Sequence, residues 1–237
     1  MRTLGSKLLR LSTLLVWSGF LTWLMISGEV FRYIGARTRW VVVFGALMLA
    51  LAALAQARSV FSHKAVAGPG RVSRAEILGV ATLLTPIAII GIIPTPMLGS
   101  EVASRKAGNS VSAASTFAPV PDPRGDVSFS AINYASESPK YAAALGIAPG
   151  YEVKLTGFVT HPDKGQKGTF ALTRFATFCC AADAVPYSVT IRAGDADFPD
   201  DTWLTISGFL VNERGEYVLR SEHIIRAKEP ENPYLRE

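Results

Sequence analysis

The only two cysteines of the chain stand side by side, Cys179 and Cys180, inside RFATFCCAADAVP, Arg174 to Pro186. Thiolates ligate soft and borderline metals, attack electrophiles and form disulfides, and their neighbours decide which chemistry is open to them. The aromatic and β-branched run from Thr169 to Cys180 predicts a strand that carries both residues. Adjacent strand residues point to opposite faces, so this placement separates the two Cβ atoms, and a bond between the neighbours would need a distorted peptide.

Three readings of the pair follow. In the first, one or both thiolates hold zinc or another thiophilic metal, with further ligands drawn from His161, Asp163, Asp183 or His223. In the second, the pair is a redox switch whose thiolate is favoured by a nearby Arg174. In the third, one cysteine is a small core residue and the other packs or pairs between subunits. The companions have plainer roles too: Asp183 can cap a turn, His161 can sit in a solvated loop, and His223 can face water from a terminal strand. Trp203 reads as a core residue covering one end of the barrel, and Arg174, beside Phe175, as a surface strand residue.

Other chemistries are excluded by what the sequence lacks. There is no GxSxG, HExxH, phosphate-binding loop or dinucleotide-binding glycine pattern, so no catalytic residue is assigned. Asp195, Asp197, Asp200 and Asp201 do not make a calcium loop, because Pro199 takes the third ligand position and no glycine follows where the loop must turn.

The elements that must carry the pair are of two kinds. Hydrophobic residues make up 49% of the chain, and they concentrate in three runs before residue 100: Leu11 to Ser27, Trp40 to Ala57 and Ile77 to Leu98. Each approaches the ~20 residues that a helix needs to cross a bilayer core. Residues 1–100 therefore read as a membrane region with helices at about 8–34, 40–57 and 76–98, Pro86 being tolerated as a kink. The first run lacks a small-x-small cleavage site, which marks it as a retained anchor.

Lys and Arg are kept on the cytoplasmic side. The N-terminus and the second connection offer seven (Arg2, Lys7, Arg10, Arg58, Lys64, Arg71, Arg74) against three in the first (Arg32, Arg37, Arg39), so the N-terminus is expected in the cytoplasm and everything after the third span outside it. Net charge is +9 over residues 1–106 and −4 over residues 107–237. The basic half thus fits anionic lipid headgroups, and the acidic half is a poor partner for nucleic acid.

Residues 101–125 are small, polar and proline-rich and read as a flexible linker. From residue 126 onward, five alternating segments separated by HPDKGQKG, GDADFPDD and NERGE predict five strands. A glycine in the first, at an expected bulge, and another in the fourth suggest a small all-β barrel of the OB type, preceded by a helix near Ile132 to Leu145 that Pro139 interrupts.

Several motifs then carry a likeness. GFV (Gly157–Val159), RFxxxCCxADAxP (Arg174–Pro186), DTWLxxxG (Asp201–Gly208), EPxNPY (Glu229–Tyr234) and the PTPMLGSEVASRKAGN stretch together resemble the YcgQ-like family of membrane proteins described as permease subunits. The resemblance implies a separate multi-span permease as partner. The expectation is a three-span membrane subunit whose extracytoplasmic barrel binds a metal or thiophilic ligand through Cys179 and Cys180. The rival expectation is an envelope module that binds protein or glycan, with structural cysteines.

Overall fold

A computed structural model describes residues 4–62, 72–92, 98–106, 127–162 and 167–235. The chain divides into two units, one of residues 1–30 with 37–96 and one of residues 31–36 with 97–237.

The first unit contains three helices, α1 (Leu4–Ser27), α2 (Arg39–Ser62) and α3 (Arg74–Ile92). Each is long and apolar enough to cross a membrane, over Gly5–Ser27, Ala36–Phe61 and Arg74–Ile92. α1 stops earlier than the hydropathy suggests. Gly28 takes φ +78°, the left-handed conformation that closes a helix, and the charged Glu29–Arg32 segment follows as a 3-10 turn. α1 and α2 pack together, with the Ser18 hydroxyl donating to the Ala46 carbonyl at 3.2 Å. α3 starts at a reciprocal cap in which the Glu76 amide donates to Ser73 Oγ and the Ser73 amide to the Glu76 carboxylate. It carries Pro86 internally.

The second unit is built on five strands, β1 (Glu152–Thr160), β2 (Thr169–Ala176), β3 (Val185–Arg192), β4 (Trp203–Glu213) and β5 (Glu216–Arg226). They close in the order β1-β2-β3-β5-β4, antiparallel except for β3 beside β5. That is the OB arrangement the glycines suggested. The interior is filled by residues such as Leu155, Leu172, Ile191, Leu204, Ile206, Leu210 and Leu219, all fully or almost fully buried. Each such side chain stabilises the fold by ~2 kcal/mol through burial alone.

The two strand glycines act differently from each other. Gly208 sits at the bulge between Ser207 and Gly208, where a Cβ would lie 2.1 Å from the Arg220 carbonyl oxygen. Gly157 pairs in regular register and is not a bulge; its Cβ would meet the Thr173 carbonyl oxygen at 2.6 Å, so it permits close approach where the barrel coils.

One end of the barrel is plugged by two short helices, α5 (Phe129–Glu137) and α6 (Pro139–Leu145). Ser128 caps the first by accepting from the Ala131 amide, and Phe129, Ile132 and Ala135 turn one face into the core. Pro139 therefore begins a second helix at its first position, where its missing N–H is no loss.

The segment expected to be a linker is partly structured. Ser100–Lys106 forms a short helix, α4, and packs on β1 and β3 with Ala103 buried in a second apolar cluster beside Phe158, Phe175 and Tyr234. Residues 107–126 lie outside the described residues.

Candidate functional site

The strand that was to carry the cysteines ends at Ala176, before them. Cys179 and Cys180 instead lie in an irregular turn that continues into a 3-10 segment, Ala181–Asp183. The reason is Asp183. Its carboxylate accepts three backbone N–H bonds, from Phe178 at 2.9 Å, Cys179 at 2.7 Å and Cys180 at 3.2 Å. Those amides would otherwise extend the ladder with β3, and a charge-assisted set of three outcompetes it.

The turn reverses the expectation that the two side chains diverge. The Sγ atoms are 3.6 Å apart, and neither cysteine is in a disulfide. One ligand atom each from Cys179, Cys180 and Asp183 falls within 4.8 Å of the others. An ion at the ~2.3 Å typical of zinc–thiolate bonds would subtend about 100° between these two sulfurs, close to tetrahedral and far from the linear geometry of two-coordinate soft ions.

The electrostatics favour the protonated form of Cys179. The hydrogen bond to Asp183 is the largest influence on Cys179, followed by that to Cys180, and its thiol is pushed up to about 12. Burial alone would raise the Asp183 carboxyl, yet the Cys179 thiol and the three amides outweigh it and hold it below its ordinary value. A carboxylate has about four lone-pair positions. Three hold the turn, and the fourth accepts from the Cys179 thiol.

Arg174 does not face the thiols to lower their pKa. Its guanidinium donates to the carbonyls of Pro233 at 3.1 Å, Asn232 at 2.9 Å and Thr156 at 3.4 Å, and lies over the Trp203 ring. It thereby fastens the EPxNPY tail beside β2, where the Leu235 amide donates to the Phe175 carbonyl at 2.8 Å. Phe175 is buried and stacks on Phe158, which in turn meets Trp203. Trp203 is half-buried in this outer cluster rather than in the barrel interior. The motifs of the resemblance thus meet in one network.

The remaining residues singled out by type lie elsewhere. His161 ends β1 and pairs through Nδ1 with Asp200 at 2.8 Å and through Nε2 with Asp197 at 3.2 Å. Burial works against its cation, but these two carboxylates win and raise its pKa. His223 is exposed on β5 opposite Ser207. Among the described residues, neither histidine joins the cysteine group. Asp163 lies outside the described residues.

Sequence reasoning missed the partners that hold the turn from outside. The Gly35 amide donates to the Cys179 carbonyl at 3.1 Å, the Ala181 amide to the Tyr33 carbonyl at 2.9 Å, and Ile34 bridges Cys180. The Tyr234 hydroxyl donates to the Arg32 carbonyl at 2.9 Å, and burial, with the nearby Cys180 and Asp183, pushes that phenol up to about 12. From α4, the Lys106 ammonium donates to the carbonyls of Ala182 at 3.1 Å and Ala184 at 2.8 Å. No periodic signal marks contacts across such separations.

Residues 127–236 match the family described as the DUF1980 C-terminal domain. A relative from Streptococcus mutans serotype c named "Putative two-component membrane permease complex subunit" is 29% identical over 90 residues, covering 35% of this chain and 33% of that protein. The match thus spans about a third of the length of that relative. With its helices, closed barrel and motif network in place, the chain is similar to the YcgQ-like permease-subunit family, and the match to the DUF1980 C-terminal domain covers residues 127–236.

Proposed function

We propose that this protein is the membrane-anchored accessory subunit of a two-component permease, and that its barrel binds a thiophilic metal, zinc in the first instance, through Cys179 and Cys180 with Asp183 in support. The observation that carries the metal reading is the 3.6 Å separation of two sulfurs, outside any disulfide, beside a carboxylate already fixed by three amides. Such a carboxylate orients the turn before the ion arrives, which lowers the ordering cost of binding. The ion would leave at least one position open for a ligand from the substrate side or from the partner. The role is one of binding and presentation, not of catalysis. A separate permease component is supported by the relative's name, and its being multi-span is what the family resemblance implies.

The barrel sits outside the cytoplasm in this reading, with the N-terminus inside. The basic residues favour that orientation. The packing of Phe31–Ala36 on the cysteine turn fits three crossings in either orientation, since the two spans between them leave the first connection and the C-terminal domain on one side.

The test is elemental analysis of the full chain purified in detergent without chelator, beside Cys179→Ser/Cys180→Ser. About one zinc per chain in the native protein and less than about a tenth of that in the double variant are expected for a closed thiolate site. No metal in a folded native protein would remove the reading. Attention would then pass to protein or glycan binding with structural cysteines, which is favoured by a hydroxyl chain, Thr160 to Thr173 to Ser188 at 2.8 Å per step, beside a cleft of about 180 Å³ lined by Thr160, Ser188, Asn133 and Ser104.

A further inference from the structure

Two segments hold the cysteine turn from outside, and both adjoin the apolar helices in sequence. Phe31–Ala36 connects α1 to α2, and α4 follows α3. The first segment pairs with the backbone of the ligand residues themselves. Gly35 donates to the carbonyl of Cys179, Tyr33 accepts from Ala181, and Arg32 accepts from Tyr234. α4 is fixed at both ends: Ser100 donates its amide and hydroxyl to Asp201 at 2.6 and 2.9 Å, and Lys106 reaches the Ala182 and Ala184 carbonyls. Asp201 is held with φ +64° to make that cap, a left-handed conformation that side chains other than glycine adopt sparingly.

We infer that the Cys179–Asp183 turn is a coupling joint, so that metal occupancy of the thiol pair sets how firmly the α1–α2 connection is bound to the barrel. The inference rests on the metal reading above. The chemistry gives it a route. Zinc binding pulls the two sulfurs, 3.6 Å apart in the turn, onto one ion and draws the Cys179 side chain away from Asp183. Asp183 then loses one of its four partners while its hold on the Phe178, Cys179 and Cys180 amides is redrawn. The Cys179–Cys180 peptide, whose N–H donates to Asp183 at 3.2 Å, carries on its other side the Cys179 carbonyl that accepts from Gly35. The thiols and the connection therefore share one two-residue backbone path. Linkage makes the effect reciprocal: what metal does to the connection, the connection does to metal affinity, by the same factor. A joint of this kind would let the barrel report metal to helices that carry no ligand of their own.

The test uses the full chain in lipid nanodiscs, with zinc as the probe and two readouts. Amide exchange at Gly35 and Ala181 is expected to change at least about fivefold on zinc addition in the native protein. It is expected to stay unchanged in Cys179→Ser/Cys180→Ser. Tyr234→Phe, which removes only the hydroxyl donated to Arg32, is expected to shift zinc affinity several-fold while core amides such as that of Leu172 keep their protection. Gly35→Val, whose Cβ would lie 3.0 Å from Thr177 Oγ1, is expected to shift it further. Zinc bound at one per chain with exchange at Gly35 and Ala181 unchanged would overturn the coupling and leave the metal reading standing. An exchange response that persists in the double variant would overturn it too, and a native chain that binds no zinc overturns both.

Discussion

Two regions of the barrel gather ionisable groups, and they do so by opposite means. At the cysteine turn, one carboxylate faces inward on three amides and a thiol, and the two sulfurs lie 3.6 Å apart beside it. At the end of β1, His161 stands between two carboxylates that are each more than half exposed, and every charge there already has its opposite. The first is a frame with unspent ligand capacity; the second is a closed ion-pair set. Neighbouring charges alone do not make a metal site. What distinguishes one is a donor set whose own internal bonds leave soft atoms pointing at a common place.

The comparison breaks most readily at Asp183. Asp183→Ala removes the acceptor of three amides at once, and each hydrogen bond to a charged group contributes ~1.5–3 kcal/mol. Loss of turn order and a 10- to 100-fold fall in zinc affinity are expected, as for other residues that support metal ligands. Calorimetric zinc titration measures it. An affinity equal to that of the native protein would show that the frame is dispensable. His161→Ala in the same titration is expected to change nothing.

A second test sharpens the contrast through pH. Because Cys179 must lose a proton whose pKa stands at about 12, apparent zinc affinity should rise about tenfold for each pH unit between 6 and 8 for that proton. A flat profile would mean that Cys179 is not a ligand. The Asp183 carboxylate adds a dependence of the same sign in acid. Its folded pKa is depressed, so its contribution to stability is complete above the unfolded value of ~3.9 and is lost as the pH falls through the lower folded value.

Much of this arrangement was legible in the sequence, and the residues explain where reading stops. The apolar runs gave the three helices because a bilayer-length stretch has few alternatives, and the alternation with two glycines gave the barrel. Pro139 was read as an interruption and proved to be the start of α6. The thiol geometry was misread because Thr169 to Cys180 has strand composition throughout, whereas Asp183 ends the strand at Ala176 by a competing set of hydrogen bonds. Its position three and four residues beyond the cysteines was the available signal, as the return half of a capping box. Arg174 on Asn232 and Pro233, Ser100 on Asp201 and Gly35 on Cys179 bridge long separations with single bonds, which leave no period to detect.

A smaller effect tests the support around the turn. Arg174→Lys keeps the charge but replaces a planar fork, which reaches three carbonyls, with one ammonium. The tail from Glu229 to Leu235 is expected to loosen by ~1 kcal/mol, read as faster exchange of the Leu235 amide, with zinc bound nearly as before.

The smallest effect belongs to the other region. Both nitrogens of His161 face carboxylates, so both bonds are satisfied only by the doubly protonated ring. Its folded pKa is therefore raised, and the stability it supplies is complete below the unfolded value of ~6.5 and is lost as the pH rises through the folded one. The pair is partly exposed and screened by salt, so less than ~1 kcal/mol is expected between pH 6 and pH 8. Exchange of the Asp201 amide, which donates to Val159 beside it, should quicken over that range in the native protein and stay level in His161→Gln. If the native profile is level as well, the imidazole is a neutral spacer, and the ion-pair half of the comparison fails while the cysteine turn is untouched.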